Sequence, residues 1–239
     1  MARTIKQPRK EGFIHSKGFK VTLIIVGILV VLFVASEIAI PLAADAYIKG
    51  KLKEKYPSAT DISVSVGAFP EFMLAFKKYS HLDVEAGSIT IENINLNSMR
   101  LTSKAWPMAR CEAFVKQDEI NRVFAPKSGL LMNPAVTLDP NTLRVSGQLR
   151  TTRLLDVEAV GTARVRNGRY VYFDAAGVSS PQKQLTAAEK TSVINAISQN
   201  PIFLIRENLP FTITSITVED GLLHITGAAD MEKVLNIHL

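Results

Sequence analysis

One cysteine, Cys111, stands in the whole chain, so no disulfide can close within it. An exported domain of this kind must be held by its core and not by cross-links. The four histidines, His15, His81, His224 and His238, are scattered, and a lone cysteine cannot build a cysteine-rich metal site. No G-x-S-x-G elbow, H-E-x-x-H pair, Walker loop or G-x-G-x-x-G turn occurs. These absences remove the commonest hydrolase, metalloprotease and nucleotide-binding classes. No residue stands out as catalytic, and no cofactor or metal is called for. Internal repeats and low-complexity stretches are also missing. An Asn-x-Ser/Thr acceptor is absent as well, which with the missing disulfides favours a bacterial envelope protein over a eukaryotic secreted one.

Positive charge is in excess, 28 bases against 22 acids, but its placement is uneven. Residues 1–20 hold six of the bases and one acid, leaving 22 bases against 21 acids in the remainder. The basicity is therefore mostly a flank to an apolar run, and nothing suggests nucleic-acid binding. That run reads VTLIIVGILVVLFVA, then Ser36-Glu37, then IAIPLAA. A bilayer core of ~30 Å needs roughly 20 helical residues, so 21–42 is long enough to cross. The positive-inside rule keeps 1–20 cytoplasmic and places 43–239 outside the plasma membrane. Ala44-Asp45-Ala46 also has the form of a signal-peptidase site, but the length of the apolar core and of the tail before it favours a retained anchor. Lys49, Lys51, Lys53 and Lys55 would then lie just outside the membrane, within reach of anionic headgroups. The expected organisation is a basic tail (1–20), a signal anchor (21–42) and one extracytoplasmic domain (43–239).

Within that domain helix signals are few. Residues 43–55 continue the span, kinked or restarted around Pro41. Phe69, Phe72, Met73 and Phe76 share one helical face behind Pro70, and a short helix after Gln117 aligns Ile120, Val123 and Phe124. Thr186-Ala-Ala-Glu189 is a capping box opening a helix with Val193, Ile194 and Ile197 on one side. Most other segments alternate with period two. A change of phase near Glu92-Asn93 marks a turn or bulge. Asp139-Pro140-Asn141, Asn167-Gly168 and Asp220-Gly221 mark hairpins. Pairing Glu219 with Leu222 puts Ile216, Val218, Leu223 and Ile225 on one face and Ser215, Thr217, His224 and Thr226 on the other. The fold class is α+β, an antiparallel sheet of long strands with about three amphipathic helices packed into its concave side.

Several polar groups admit a sharper and a plainer reading. His81, Asp83 and Glu85 share a strand face and could form a weak metal or acid–base cluster, but a wet strand face explains them. His224 falls on a polar strand face, where a solvated role is expected. Cys111 alternates with Ala113 and Val115 and reads as a small buried hydrophobe. Arg144, Arg150, Arg153, Arg164, Arg166 and Arg169 either solubilise exposed strands or rim a phosphate site, and the first is favoured.

A membrane-anchoring segment, then Val64-Ser65-Val66-Gly67-Ala68-Phe69-Pro70 and an apolar helix over 71–79, resembles the LmeA-like phospholipid-binding family of actinobacterial envelopes. Alternating segments over 82–101, Asn208-Leu209-Pro210-Phe211 and VEDGLLHITG at 218–227 add to the resemblance, which spans about residues 45 to 230. Each motif is short; their order and spacing carry the match. The resemblance implies a strongly curved sheet wrapped around helices, similar to tubular lipid-binding domains, phospholipid or other diacyl-lipid binding, and a part in envelope glycolipid assembly. It implies no catalytic residues.

Apolar pockets hold lipid tails at roughly 0.8 kcal/mol per buried CH₂. Large apolar side chains on helices and small ones on the facing sheet would make such a pocket. Phe69, Phe72, Met73, Phe76, Val123, Phe124, Ile194, Ile197, Phe203 and Phe211 are the expected lipid-binding residues. Ala159, Gly161, Ala163, Ala175, Ala176 and Gly177 would leave room or permit curvature. The expected function is a non-enzymatic, membrane-anchored lipid binder that presents or shuttles lipid, with envelope-biosynthesis enzymes as further partners. The alternative is an envelope scaffold with a filled core that binds a synthase or glycosyltransferase. An enzyme would have only Glu71 and Glu158 as poor candidate acids.

Overall fold

The computed structural model describes residues 17–68, 80–91, 93–124, 131–150, 154–199, 201–207 and 209–235, with the first seven as backbone. The first element, α1 (Lys17–Lys55), is a single helix of 39 residues that passes through Pro41 and does not restart there. Its side chains from Ile24 to Ala35 are exposed. Beyond them Ile40, Ala44, Ile48, Leu52 and, just past the helix end, Tyr56 recur every fourth residue and pack against the domain. That spacing is one helical face. One helix thus has two environments along its length.

A six-stranded antiparallel sheet receives that face. It is ordered β1 (Ser63–Gly67), β2 (His81–Ala86), β5 (Ser98–Ala105), β6 (Met108–Lys116), β13 (Leu222–Asp230) and β12 (Phe211–Glu219). Between β2 and β5 a small hairpin, β3 (Ile89–Ile91) and β4 (Ile94–Leu96), supplies the expected change of phase, with Asn93 in the left-handed region. A five-stranded antiparallel sheet is ordered β11 (Phe203–Leu204), β10 (Tyr170–Ser179), β9 (Leu154–Arg166), β8 (Thr142–Arg150) and β7 (Leu131–Asp139). Together the strands curl into a half-barrel, and the class is α+β. Asn167 and Gly168 both take positive φ, as a two-residue hairpin turn of the I′ type requires.

Among the described residues, three short helices accompany the sheets. In α2 (Gln117–Phe124), Gln117 Oε1 accepts from Leu138 N and Asn121 bonds both Val136 N and Val136 O. The helix thereby occupies main-chain groups that the edge strand β7 would otherwise leave open. The capping box of α3 (Ala187–Ser198) forms as its sequence dictates, Thr186 Oγ1 accepting from Glu189 N and Glu189 accepting from Thr186 N. Lys183 and Thr186 hold the Glu189 carboxyl down to about 2. Finally α4 (Met231–Leu235) packs beside α1, where Lys55 Nζ donates to Lys233 O.

The β12–β13 hairpin forms in the expected register, Glu219 opposite Leu222, with Ile216 opposite Ile225 and Val218 opposite Leu223. On the free side of β12, Ile213 N donates to Gly168 O and Asn141 N to Val218 O, so two hairpin tips of the five-stranded sheet seal its edge. Two cores result. The first fills the five-stranded sheet under α2 and α3. The second lies between β1, β2, β5, α4 and the inner half of α1.

Candidate functional site

Pairing registers align the inner face of the six-stranded sheet in rows. Val64, Val84, Leu101, Cys111, Gly227 and Ile213 form one row; Ala86, Met99, Ala113, Ile225 and Ile216 form the next. In the middle of both rows the side chains shrink to Cys111, Gly227 and Ala113. Gly227 cannot be larger, because a Cβ there would stand 2.2 Å from Thr212 O. The small residues form the floor of a trough between the two cores.

Walls rise on both sides. Ile91, Ile94 and Leu96 of the β3–β4 hairpin form one, while Phe203, Leu204, Ile205 and Leu209 form the other. Met99, Val115, Phe211, Ile213 and Ile225 complete the cleft. Its space is about 630 Å³ with the open mouth included, whereas the enclosed cavity is only about 70 Å³. Among the described residues the lining is almost wholly apolar, with the Cys111 thiol and Thr212 as its polar exceptions. Burial pushes that thiol up to about 12, helped by the neighbouring Glu112 carboxylate. At neutral pH it is protonated and inert, and acts as a small hydrophobe. An apolar, half-open cleft of this kind can hold a hydrocarbon chain.

The hairpin wall is fixed in place by a buried carboxylate. Glu119 of α2 accepts from Asn95 N at 2.6 Å and pairs with Arg122 at 2.5 Å. The Arg122 hydrogen bond, with those from Asn95, holds the Glu119 carboxyl below its usual range despite burial. Arg122 also donates to Asn93 O, so both ends of the β4 turn are tied to one helix.

Of the expected site residues, Phe203 and Phe211 line this cleft. Phe124 and Ile197 are closed into the first core, and Val123 packs against it. Ile194 is half-buried on α3. Phe69, Phe72, Met73 and Phe76 lie outside the described residues. The small residues of β9 and β10 lie elsewhere: Ala159 is buried in the first core, and Ala163 and Ala175 pack against it. Gly161 admits Asp174 O, 2.1 Å from where its Cβ would be, beside a register shift between Ala175 and Gly177. The alanines thus fill the first core, and Gly161 permits the close approach of β10 at that irregularity. The residues missed from sequence are Ile91 and Ile94 of the β3–β4 hairpin, whose alternation marked strands but not a cleft wall, and Leu204, Ile205 and Leu209, which lie in segments too short for any periodicity.

The polar groups singled out in the sequence take these places, while Glu71 and Arg153 lie outside the described residues. Arg144 pairs with Asp139 and Glu158, Arg164 pairs with Asp174, Arg166 lies 4.6 Å from the Tyr172 ring, and Arg169 donates to Arg206 O. Glu85 is taken by Arg100, and His81 lies over Gly67. Among the described residues no three His, Cys, Asp or Glu side chains gather to hold a metal. His224 is not freely solvated as expected. Its ring stacks on Phe114 at 4.5 Å because the two residues are cross-strand partners.

The model of the LmeA-like phospholipid-binding family matches residues 35–228. The chain belongs to that family. No curated protein and no solved structure matches it. The family match begins inside α1 and ends inside β13, so it includes every described residue that lines the cleft.

Proposed function

We propose that this member of the family is a membrane-anchored phospholipid carrier whose central cleft holds an acyl chain. The observation that carries the reading is the apolar trough over Cys111, Ala113 and Gly227 in a chain of a phospholipid-binding family. A chain entering it would desolvate CH₂ groups at roughly 0.8 kcal/mol each. The enclosed volume is small for a whole tail, so the rest of the chain would lie in the open mouth. The headgroup would stay at the mouth, in water.

The helix α1 is the one segment long and apolar enough to span a bilayer by length and composition among the described residues. Retention of this anchor is supported by its other end. Asp45 Oδ1 accepts from Val66 N at 2.9 Å, and Ile40 and Ala44 pack against the second core. Cutting after Ala46 would remove all three from the folded domain. With residues 1–20 inside and the domain outside the plasma membrane, the protein would present or shuttle phospholipid to enzymes of envelope glycolipid assembly, with no chemistry of its own.

Native mass spectrometry of the full chain, released from mild detergent, tests the reading. Phospholipid masses should remain on the wild-type protein and leave on activation, and Ala113→Leu, which fills the trough, should carry none. A bare protein mass that also resists loading from vesicles would favour a filled scaffold that binds an envelope enzyme.

A further inference from the structure

The position of α1 against the sheet fixes which end of the domain faces the lipid. Asp45 is bonded to Val66, and Val66 stands in register with Leu82 and Ser103. Helix and β1 run in opposite directions, since Tyr56 follows the helix at the other end, near Ala59 and Ile62. Going from Ser103 toward the β5–β6 turn is therefore going toward the exposed apolar half of α1. Trp106 lies three residues on, about 10 Å at the strand rise of ~3.3 Å, less where the turn closes. The same distance along the helix covers about five to seven residues. It ends near Ile38 and Ile40. Trp106 and Ile40 also pack against the same core, in keeping with a common level.

That level is the outer end of the 21–42 span. At it the turn offers a half-buried Trp106, Pro107 and a Met108 that is 52% exposed, with the exposed bases Lys104 and Arg110 on either side. Amphipathic aromatic rings favour the headgroup boundary, and bases there favour anionic lipid. One residue beyond Met108, Ala109 stands in register with Ala229 and Phe211, one of the two phenylalanines lining the cleft. Turn and cleft lie at the same end of the strands.

We propose that the Trp106-Pro107-Met108 turn is a second membrane contact, seated in the headgroup layer beside α1, which holds the Phe211 end of the cleft against the bilayer surface. The inference rests on the anchored reading above. A single spanning helix packed on the domain can still tilt in the bilayer and carry the cleft away from the lipid it must take up. A second contact fixes its tilt, so that a chain passes between leaflet and cleft over a short path.

Trp106 is the sole tryptophan, so its emission reports the turn without labelling. The full chain would be reconstituted into phosphatidylcholine–phosphatidylglycerol vesicles carrying bromine near either the headgroup end or the methyl end of the acyl chains. Flotation of the vesicles would be followed on the same samples. The proposal expects the protein to float and Trp106 to lose emission, most with bromine near the headgroups, and Met108→Asp to restore it. Floating protein with unquenched Trp106 would overturn the turn contact and leave the anchor standing. Quenching that Met108→Asp leaves unchanged would place the bromine in the cleft and overturn it too. Protein that stays at the bottom of the gradient would overturn anchor and turn together.

Discussion

In the five-stranded sheet Val145, Val157, Ala159, Val171 and Phe173 lie beneath two helices, each at most 2% exposed. On the six-stranded sheet the same in–out alternation reaches Cys111, Ala113 and Gly227 and stops short of filling the space above them. Periodicity is equal in the two regions; residue size and cover are not. Large side chains under α2 and α3 close one region, whereas small ones under a hairpin of two three-residue strands and a two-residue strand leave the other open. Patterning decides which face is buried, and side-chain volume decides whether the buried face is solid or hollow.

Emptying the closed region should have the largest effect. Phe173→Ala is expected to cost about 3–5 kcal/mol, read as a lower midpoint in denaturant of the detergent-solubilised chain. If it cost as little as a surface change, the first core would not be closed. Next comes a matched pair that adds the same atoms to both regions. Ala159→Leu should lose about 1–3 kcal/mol through overpacking. Ala113→Leu should leave stability nearly unchanged while abolishing lipid retention. Equal destabilisation by the two substitutions would erase the distinction between solid and hollow.

The cleft wall offers a smaller lever. Glu119→Ala should cost about 1–3 kcal/mol by leaving Asn95 N and Arg122 without their acceptor. The Glu119 carboxyl is depressed in the folded protein, so the unfolded chain binds its proton more readily. Its contribution is whole above the ordinary glutamate value of about 4.3 and is lost as pH falls through the depressed native one. Protection of the β3–β4 hairpin amides, taken relative to their intrinsic exchange rates at each pH, should therefore fall in acid in the wild type, and already be low at neutral pH in the variant. Smallest is the helix cap: Thr186→Ala should cost about 1 kcal/mol and leave lipid retention intact.

Local signals were legible. The capping box at Thr186 and the Asp220-Gly221 hairpin are specified within a few residues, and both formed in the register that alternation and turn chemistry required. The apolar span and the α+β class were readable for the same reason. The cleft was not. Its floor depends on β6 pairing with β13, more than a hundred residues away, and its walls on strands of two and three residues. Ala159 and Gly161 showed the right sizes in the wrong sheet, because small residues mark bulges and close approach as readily as empty space. The stack of Phe114 on His224 likewise comes from cross-strand register and leaves no trace in either segment alone.

Photo-crosslinking tests the central claim most directly. The full chain in vesicles would be irradiated with a phospholipid carrying a diazirine at the end of one acyl chain, and the adducts located by mass spectrometry of its peptides. Adducts on Ile91, Ile94, Leu209, Phe211 and Ile213 are predicted, and Ala113→Leu should remove them. Adducts confined to the exposed stretch of α1, with none in the cleft, would contradict the account.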